Sequence, residues 1–279
     1  MTVILATACA IVYGTADFFG GLATRRSRVL SVVVLSQAAG LALILVLLPL
    51  LPGSYGTLAL SWGLAAGLAG AAGLVLFYRA LATGVMSVVA PTTAVTSAAL
   101  PVVFGLATGD RPGVWALVGV ALALGAVLLV SQEGKGGGQV TPRSVLVSLA
   151  AGAGFGGFFI LLSMAPGDSG LWPLVGARLS SVSVVALPAL VTGRGLRPGA
   201  GSLPVIVAAG VLDMAANVLY LLAQRDGLLS LVAVLVSLYP ASTLVLANRV
   251  LGERLRAVQI AGVACALAAV ALIAVAQHS

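Results

Sequence analysis

Charged side chains are scarce in this chain of 279 residues. Only 8% of the residues are charged, whereas 61% are hydrophobic, and the mean hydropathy is +1.18. A soluble domain has about 25% charged residues, so this chain lacks the polar surface of a water-soluble fold. Because helices satisfy their own backbone hydrogen bonds in lipid, we predict an all-α integral membrane protein.

Cysteine and histidine are almost absent, which argues against metal and redox chemistry. Cys9 and Cys265 both lie in apolar runs, where cysteine packs as a small apolar residue, and they build no disulfide framework. The single histidine, His278, lies next to the last residue. We therefore expect no cofactor and no metal ion. The net charge of +7 comes from basic residues dispersed between apolar runs, so nucleic acid is not expected as a partner.

Ten apolar runs follow one another, each close to the roughly 20 residues that cross a bilayer. Charges, prolines and glycines separate them. The predicted helices cover about residues 3–23, 29–51, 58–83, 85–109, 113–131, 144–164, 171–192, 203–223, 228–251 and 257–276. The glycine-rich segment at 132–143 is typical of a flexible linker.

The two halves of the chain repeat one another. When Gly84 is placed on Gly227, Asp110 falls without a gap on Glu253, each inside a Gly-acid-Arg turn. Apolar matches between such helices arise by chance, but this polar turn at the same point of both halves is harder to dismiss.

Five runs in each half is an odd number, so the second half must enter the membrane from the opposite side. We predict two inverted five-helix repeats, residues 1–131 and 144–279, joined by the linker at 132–143. Inverted repeats are a recurrent architecture of secondary transporters, with the substrate site near the midplane between the halves.

Five short motifs lie along the chain in order: Tyr13-Gly14, Tyr78-Arg79-Ala80-Leu81, Phe155-Gly156, Leu238-Tyr239-Pro240 and Leu251-Gly252-Glu253-Arg254. In this order and spacing they resemble the ten-helix branch of the drug/metabolite transporter superfamily, whose halves are called EamA domains. The resemblance spans essentially the whole chain. It implies an exporter or exchanger of small metabolites or drugs with a central cavity, although some relatives move sugars, nucleotide conjugates or lipids.

Polar side chains inside the runs are the candidates for a binding site, because a charge there costs about 2.5–3.5 kcal/mol on insertion scales. Asp17 lies one helical turn after Tyr13, so the two share a face. The repeat places Arg178 opposite Ser36 or Gln37. The residues predicted to line the substrate cavity are Tyr13, Asp17, Gln37, Arg178, Asp213, Asn217 and Tyr239.

Two interpretations of these residues stay open. Arg178 and Asp213 either line a cavity or form a fixed structural ion pair. Asp17 is either a proton-coupling acid or the donor and acceptor of a helix-packing hydrogen bond.

Three prolines inside the runs, Pro91, Pro101 and Pro240, are predicted gating positions. A proline frees a backbone carbonyl that, in lipid, must face protein or a cavity. Ordinary packing of the neighbouring serines and threonines is the alternative.

The leading functional interpretation is a secondary active transporter working by alternating access, not an enzyme. Its expected partners are a small-molecule substrate, the lipid bilayer and protons, in a multi-pass protein of the cell membrane (the inner membrane of a bacterium), either monomer or homodimer. The alternatives are an intramembrane enzyme acting on lipid or prenyl substrates and a lipid-translocating carrier. The lone terminal histidine and the lack of a paired-carboxylate motif disfavour the enzyme, and the intramembrane charges disfavour a passive scaffold.

Basic residues also predict the orientation. Only Arg111 and Arg225 lie in loops on the side of the termini, and ten lie in loops on the opposite side: Arg25, Arg26, Arg28, Lys135, Arg143, Arg194, Arg197, Arg249, Arg254 and Arg256. The positive-inside rule therefore places both termini outside the cytoplasm, although relatives are often drawn with both inside.

Overall fold

The structure is a computed structural model that describes residues 1–51, 53–83, 86–130, 141–191, 196–252 and 255–276. Every regular element in those ranges is a helix. The helices are α1 (Thr2–Thr24), α2 (Val29–Leu47), α3 (Thr57–Thr83), α4 (Met86–Thr108), α5 (Val114–Val130), α6 (Pro142–Ser163), α7 (Trp172–Val191), α8 (Leu203–Arg225), α9 (Leu229–Val236), α10 (Tyr239–Leu251) and α11 (Ala257–Ala276).

The helices confirm the predicted all-α membrane fold. Within the described ranges, seven helical stretches are long and apolar enough to cross a membrane, and α9 with α10 forms one of them. Three shorter apolar helices occupy Thr92–Thr108, Val114–Val130 and Trp172–Leu187. Together they match the ten predicted runs, because apolar length is the property that both the prediction and the fold depend on.

The structure differs from the predicted runs at the end of α2, at the start of α6 and within the ninth run. α2 ends at Leu47, four residues before the predicted end. α6 begins at Pro142, inside the predicted linker, because Thr141 and Ser144 form a capping box with N–H to hydroxyl distances of 3.2 and 3.3 Å. Residues 132–140 of that linker lie outside the described residues. The ninth run is two helices that meet at Ser237 and Leu238, because Pro240 has no N–H to donate to the carbonyl four residues earlier.

Each helix of the first half makes the same contacts as the equivalent helix of the second half. α3 packs against α6 and α7, and α8 packs in the same way against α1 and α2. α4 packs against α6, and the ninth span (α9 and α10) packs in the same way against α1. The last helices of the two halves, α5 and α11, pack against each other. Glycines permit the equivalent approaches: Gly67 lies against the Ala177 carbonyl of α7, and Gly210 lies against the Ser36 carbonyl of α2. With five spans in each half, the repeats are inverted.

Candidate substrate-binding site

Four of the predicted site residues form one polar cluster between α2, α7 and α8. The Arg178 guanidinium donates from Nη2 to the Asp213 carboxylate and from Nη1 to Gln37 Oε1. Asn217 donates from Nδ2 to the backbone carbonyl oxygen of Asp213 at 2.8 Å. The Ser181 hydroxyl donates to Gln37 Oε1 at 3.3 Å. The Arg178 side chain is only 9% exposed, so its charge depends on these partners.

Small residues allow the three helices of this cluster to converge. A Cβ atom on Gly40 of α2 would lie 3.1 Å from the Gly210 carbonyl oxygen of α8 and 3.3 Å from Arg178 Nε of α7. Gly40 therefore leaves the room that the guanidinium occupies. Of Ser36 and Gln37, which the repeat places opposite Arg178, Gln37 contacts the guanidinium directly.

A second part of the site lies where α1 meets α10. The rings of Tyr13 and Tyr239 are tilted by 55° with centroids 6.3 Å apart. The backbones approach closely here because Gly14 lies against the Tyr239 carbonyl. The Thr243 hydroxyl donates to the Gly14 carbonyl oxygen at 3.0 Å, and the Ser242 hydroxyl donates to that of Ala10 at 2.9 Å.

Asp17 differs from Asp213 in having no fixed partner. Its side chain is exposed, and within the described part of the chain it makes neither an ion pair nor a hydrogen bond. Asp213 and Tyr239 are both close enough to interact with it electrostatically. Asp17 is thus an accessible carboxyl beside the Arg178–Asp213 pair, and the helix-packing hydrogen bond that the sequence left open is not formed here.

The site is accessible from one side. On α8 the polar stripe runs from Asp213, whose side chain is 39% exposed, through Asn217 at 4% to Tyr220 at 0%. All eight residues of α9 are buried, whereas none of α10 is. The polar residues of the site are therefore more accessible toward the face opposite the termini and are covered toward the termini.

An interaction that the sequence analysis missed lies on the closed side. The Asp110 carboxylate, in the loop between α4 and α5, accepts the backbone N–H of Ser230 at 2.8 Å. It thereby caps the first turn of α9 from the other half of the chain. The repeated Gly-acid-Arg turn was the sequence signal that could have identified Asp110.

Aromatic side chains continue the site on α6 and α3. Phe159 packs on Tyr220 with ring centroids 4.6 Å apart, and the Tyr220 hydroxyl donates to the Phe159 carbonyl oxygen at 3.1 Å. Phe158 contacts Phe159 at 5.4 Å, and Phe77 of α3 contacts Phe155 at 6.3 Å. We call Phe77, Phe155, Phe158 and Phe159 the aromatic wall; Tyr220 joins it to the polar stripe of α8.

The three predicted gating prolines have different settings. Pro240 lies in the first turn of α10, directly after the break in the ninth span. Pro101 is buried in α4, which stays helical through it, and a Cβ on Gly156 would lie 3.3 Å from its Cδ. The side chain of Pro91 lies outside the described residues. A role in gating stays a prediction for all three.

A cavity of about 630 Å³ lies on the face of the termini, away from the polar cluster. Its lining includes Thr2, Arg111, Arg225, Asp226 and Leu231. Arg225 donates to the Gly170 carbonyl oxygen at 2.6 Å. The buried layer of α9 separates this cavity from the central site.

The fold and its enclosed charged cluster define a class: a multi-span helical membrane protein built from inverted halves, the architecture of secondary transporters. Residues 142–275 match the EamA-like transporter family. This match confirms the resemblance predicted from the sequence and supports a membrane transporter of the drug/metabolite type.

Among solved structures, 26 chains match this one. One of them, a crystal structure described only as that of a protein, aligns with a TM-score of 0.78 and 16% identity over 99% of this chain and 98% of its own. At that identity the similarity shows the fold alone. A search of the curated proteins found no match.

Proposed function

We propose that the protein is a secondary active transporter, an exporter or exchanger that moves small metabolites or drugs through the central cavity by alternating access. The observation that carries this proposal is the one-sided access to the site. Asp17 and Asp213 are open toward the face opposite the termini, whereas α9 is buried throughout on the other side. Inverted halves allow the same helices to close one face and open the other.

Asp17 is the proposed proton-coupling carboxyl. Asp213 is held by Arg178, so a change in its protonation would break an ion pair. Asp17 has no such partner within the described residues, and its side chain is exposed. It can therefore exchange a proton without disturbing the cluster that holds α2, α7 and α8 together.

Transport by purified protein in proteoliposomes tests this role. Candidate substrates come from a metabolite screen for thermal stabilisation, because a ligand that binds only the folded state raises its apparent stability. Uptake by the wild type should respond to an imposed pH gradient. Asp17→Asn should still fold but lose that response, because the amide keeps the shape and hydrogen bonding while removing the titration.

Asp226→Asn is the matched control, because Asp226 is an exposed acid at the end of α8, beside the cavity on the face of the termini and away from the polar cluster. It should respond to the gradient as the wild type does. An Asp17→Asn variant whose transport still follows the gradient would exclude Asp17 as the coupling group.

We also propose that the open face of the cavity is cytoplasmic. The described basic residues on that face, including Arg26, Arg143 and Arg197, are exposed, as the positive-inside rule requires of cytoplasmic loops. A C-terminal reporter that is active only in the cytoplasm measures the orientation directly. It should be inactive, and a strong cytoplasmic signal would reverse the assignment.

A further inference from the structure

We infer that the substrate is an organic cation whose amine or ammonium group pairs with Asp17 beside the rings of Tyr13 and Tyr239. This inference rests on the proposed transport function. It assigns a substrate class to the site from the arrangement of its charges and rings.

The charges around the cavity do not cancel. Arg178 is neutralised by Asp213, and its second donor is taken by Gln37. Asp17 remains without a partner in the described part of the chain. When Asp17 is ionised, these three residues leave one negative charge, and a monovalent cation is the ligand that cancels it.

An anionic substrate would need an available basic group. Arg178 is the described basic side chain at this cluster, and it is nine-tenths buried with its guanidinium already engaged. Displacing Asp213 from it would leave a carboxylate unpaired in a low-dielectric site, which is costly. The arrangement therefore disfavours carboxylates and phosphates.

The tyrosine rings next to Asp17 also favour a cationic substrate. Tyr13 lies one turn before Asp17 on α1, and Tyr239 faces Tyr13 from α10 at 6.3 Å. Both rings are partly accessible. The face of a tyrosine ring attracts ammonium groups, by about 0.5–1 kcal/mol at exposed sites and about 2 kcal/mol when desolvated. Two rings beside one carboxylate thus form a cation site.

The aromatic wall supplies the surface for the rest of the substrate. It reaches the polar stripe of α8 through the contact between Phe159 and Tyr220. A flat apolar body attached to the ammonium group would pack on these rings by offset or edge-to-face contacts. The substrate class is therefore an amphipathic organic cation rather than a small inorganic one.

Protons and the cation compete for the same carboxylate. The groups that face Asp17 are Tyr13 on its own helix, Asp213 on α8 and Tyr239 on α10, and Arg178 faces Asp213 from α7. The neighbouring α2 and α9 contain no titratable side chain. Binding of a permanent cation should therefore strengthen as the pH rises and release a proton from Asp17.

The test uses the full-length protein and three probes of similar size: benzyltrimethylammonium, benzamide and benzoate. Calorimetry should show saturable binding of benzyltrimethylammonium, at least tenfold tighter than that of the other two and tighter at higher pH. Asp17→Asn should weaken it at least tenfold, whereas Asp226→Asn should leave it unchanged. Tyr13→Leu and Tyr239→Leu should each weaken it about threefold, and the two Phe variants should not.

The outcomes separate this inference from the proposed function. Tighter binding of benzoate, or unchanged binding of benzyltrimethylammonium by Asp17→Asn, overturns the cation site. If proteoliposomes nevertheless transport benzoate, the transport function stands and only the substrate class is wrong. Binding of the cation at Asp17 without transport of any of the three probes supports the site and argues against the proposed function.

Discussion

α1 and α6 occupy equivalent positions in the two halves, and both rely on a glycine to pack. Gly14 of α1 lies against the Tyr239 carbonyl of the ninth span, and a Cβ on Gly156 of α6 would lie 3.1 Å from the Ser97 carbonyl oxygen of α4. Three residues later the two helices differ, because α1 has Asp17 where α6 has Phe159.

The second pair of equivalent helices, α3 and α8, shows the same difference. Gly67 and Gly210 make matching backbone contacts, but three residues later α3 has Gly70 where α8 has Asp213. Phe158 fills the space beside Gly70, with its Cδ2 3.2 Å from where a Cβ would be. The glycines shared by the two halves therefore determine how closely the helices approach. The residues that differ place the charged side chains on one side of the site and the aromatic side chains on the other.

The largest loss of stability is expected when one partner of the Arg178–Asp213 pair is replaced. Asp213→Leu leaves the buried Arg178 with Gln37 alone and should destabilise the protein by about 3–5 kcal/mol. Arg178→Leu should cost less, about 1–2 kcal/mol, because water already reaches Asp213. Unfolding of the purified variants in detergent measures both losses.

The double variant Arg178→Leu/Asp213→Leu is the control for that comparison. It leaves no charge unpaired, so its stability should return to within about 1 kcal/mol of the wild type. If Arg178 and Asp213 also act in transport, the double variant should fold but not transport. Full transport by it would limit the pair to a structural role.

A smaller loss of stability is expected at Gly67 and Gly210, where the two halves make the same helix contacts. A Cβ on Gly67 or on Gly210 meets a backbone carbonyl of the neighbouring helix, which cannot move without separating the helices. Gly67→Ala and Gly210→Ala should each cost about 1–3 kcal/mol and should match each other. Gly20→Ala is the control, because nothing lies within 4 Å of a Cβ built there. A loss in only one half would show that the packing is not equivalent.

Most of the fold was predictable, because apolar runs of sufficient length become spans whatever their tertiary contacts. The pairing of Arg178 with Asp213 was one of two open interpretations, and the repeat placed Arg178 opposite Ser36 or Gln37. The repeated Gly-acid-Arg turn marked Asp110, but its partner Ser230 was not predictable, because Ser230 lies 120 positions away and nothing local specifies it. The side on which the site is covered was also unpredictable, since α9 and α10 are parts of one apolar run that differ only in what packs around them.

The smallest effect is expected at Asp110, a residue of the first half whose carboxylate contacts α9 of the second half. Its carboxylate caps α9 at the closed face, and removing an N-cap acceptor costs about 1 kcal/mol. If the opposite state lacks this contact, Asp110→Ala should shift the equilibrium about fivefold toward opening on the side of the termini. Asp110→Asn should shift it much less, because asparagine caps helices about as well as aspartate.

Cysteine accessibility in α9 measures that shift. With Cys9 and Cys265 replaced by alanine, Val232→Cys places one thiol where the side chain is fully buried. Its labelling by a water-soluble maleimide should be about five times faster in the Asp110→Ala background. Asp226→Ala, at an exposed acid on the same face, should leave the rate unchanged. Equal rates in the Asp110→Ala and Asp110→Asn backgrounds would mean that the cap stabilises α9 without controlling access, and that the two faces are closed by packing alone.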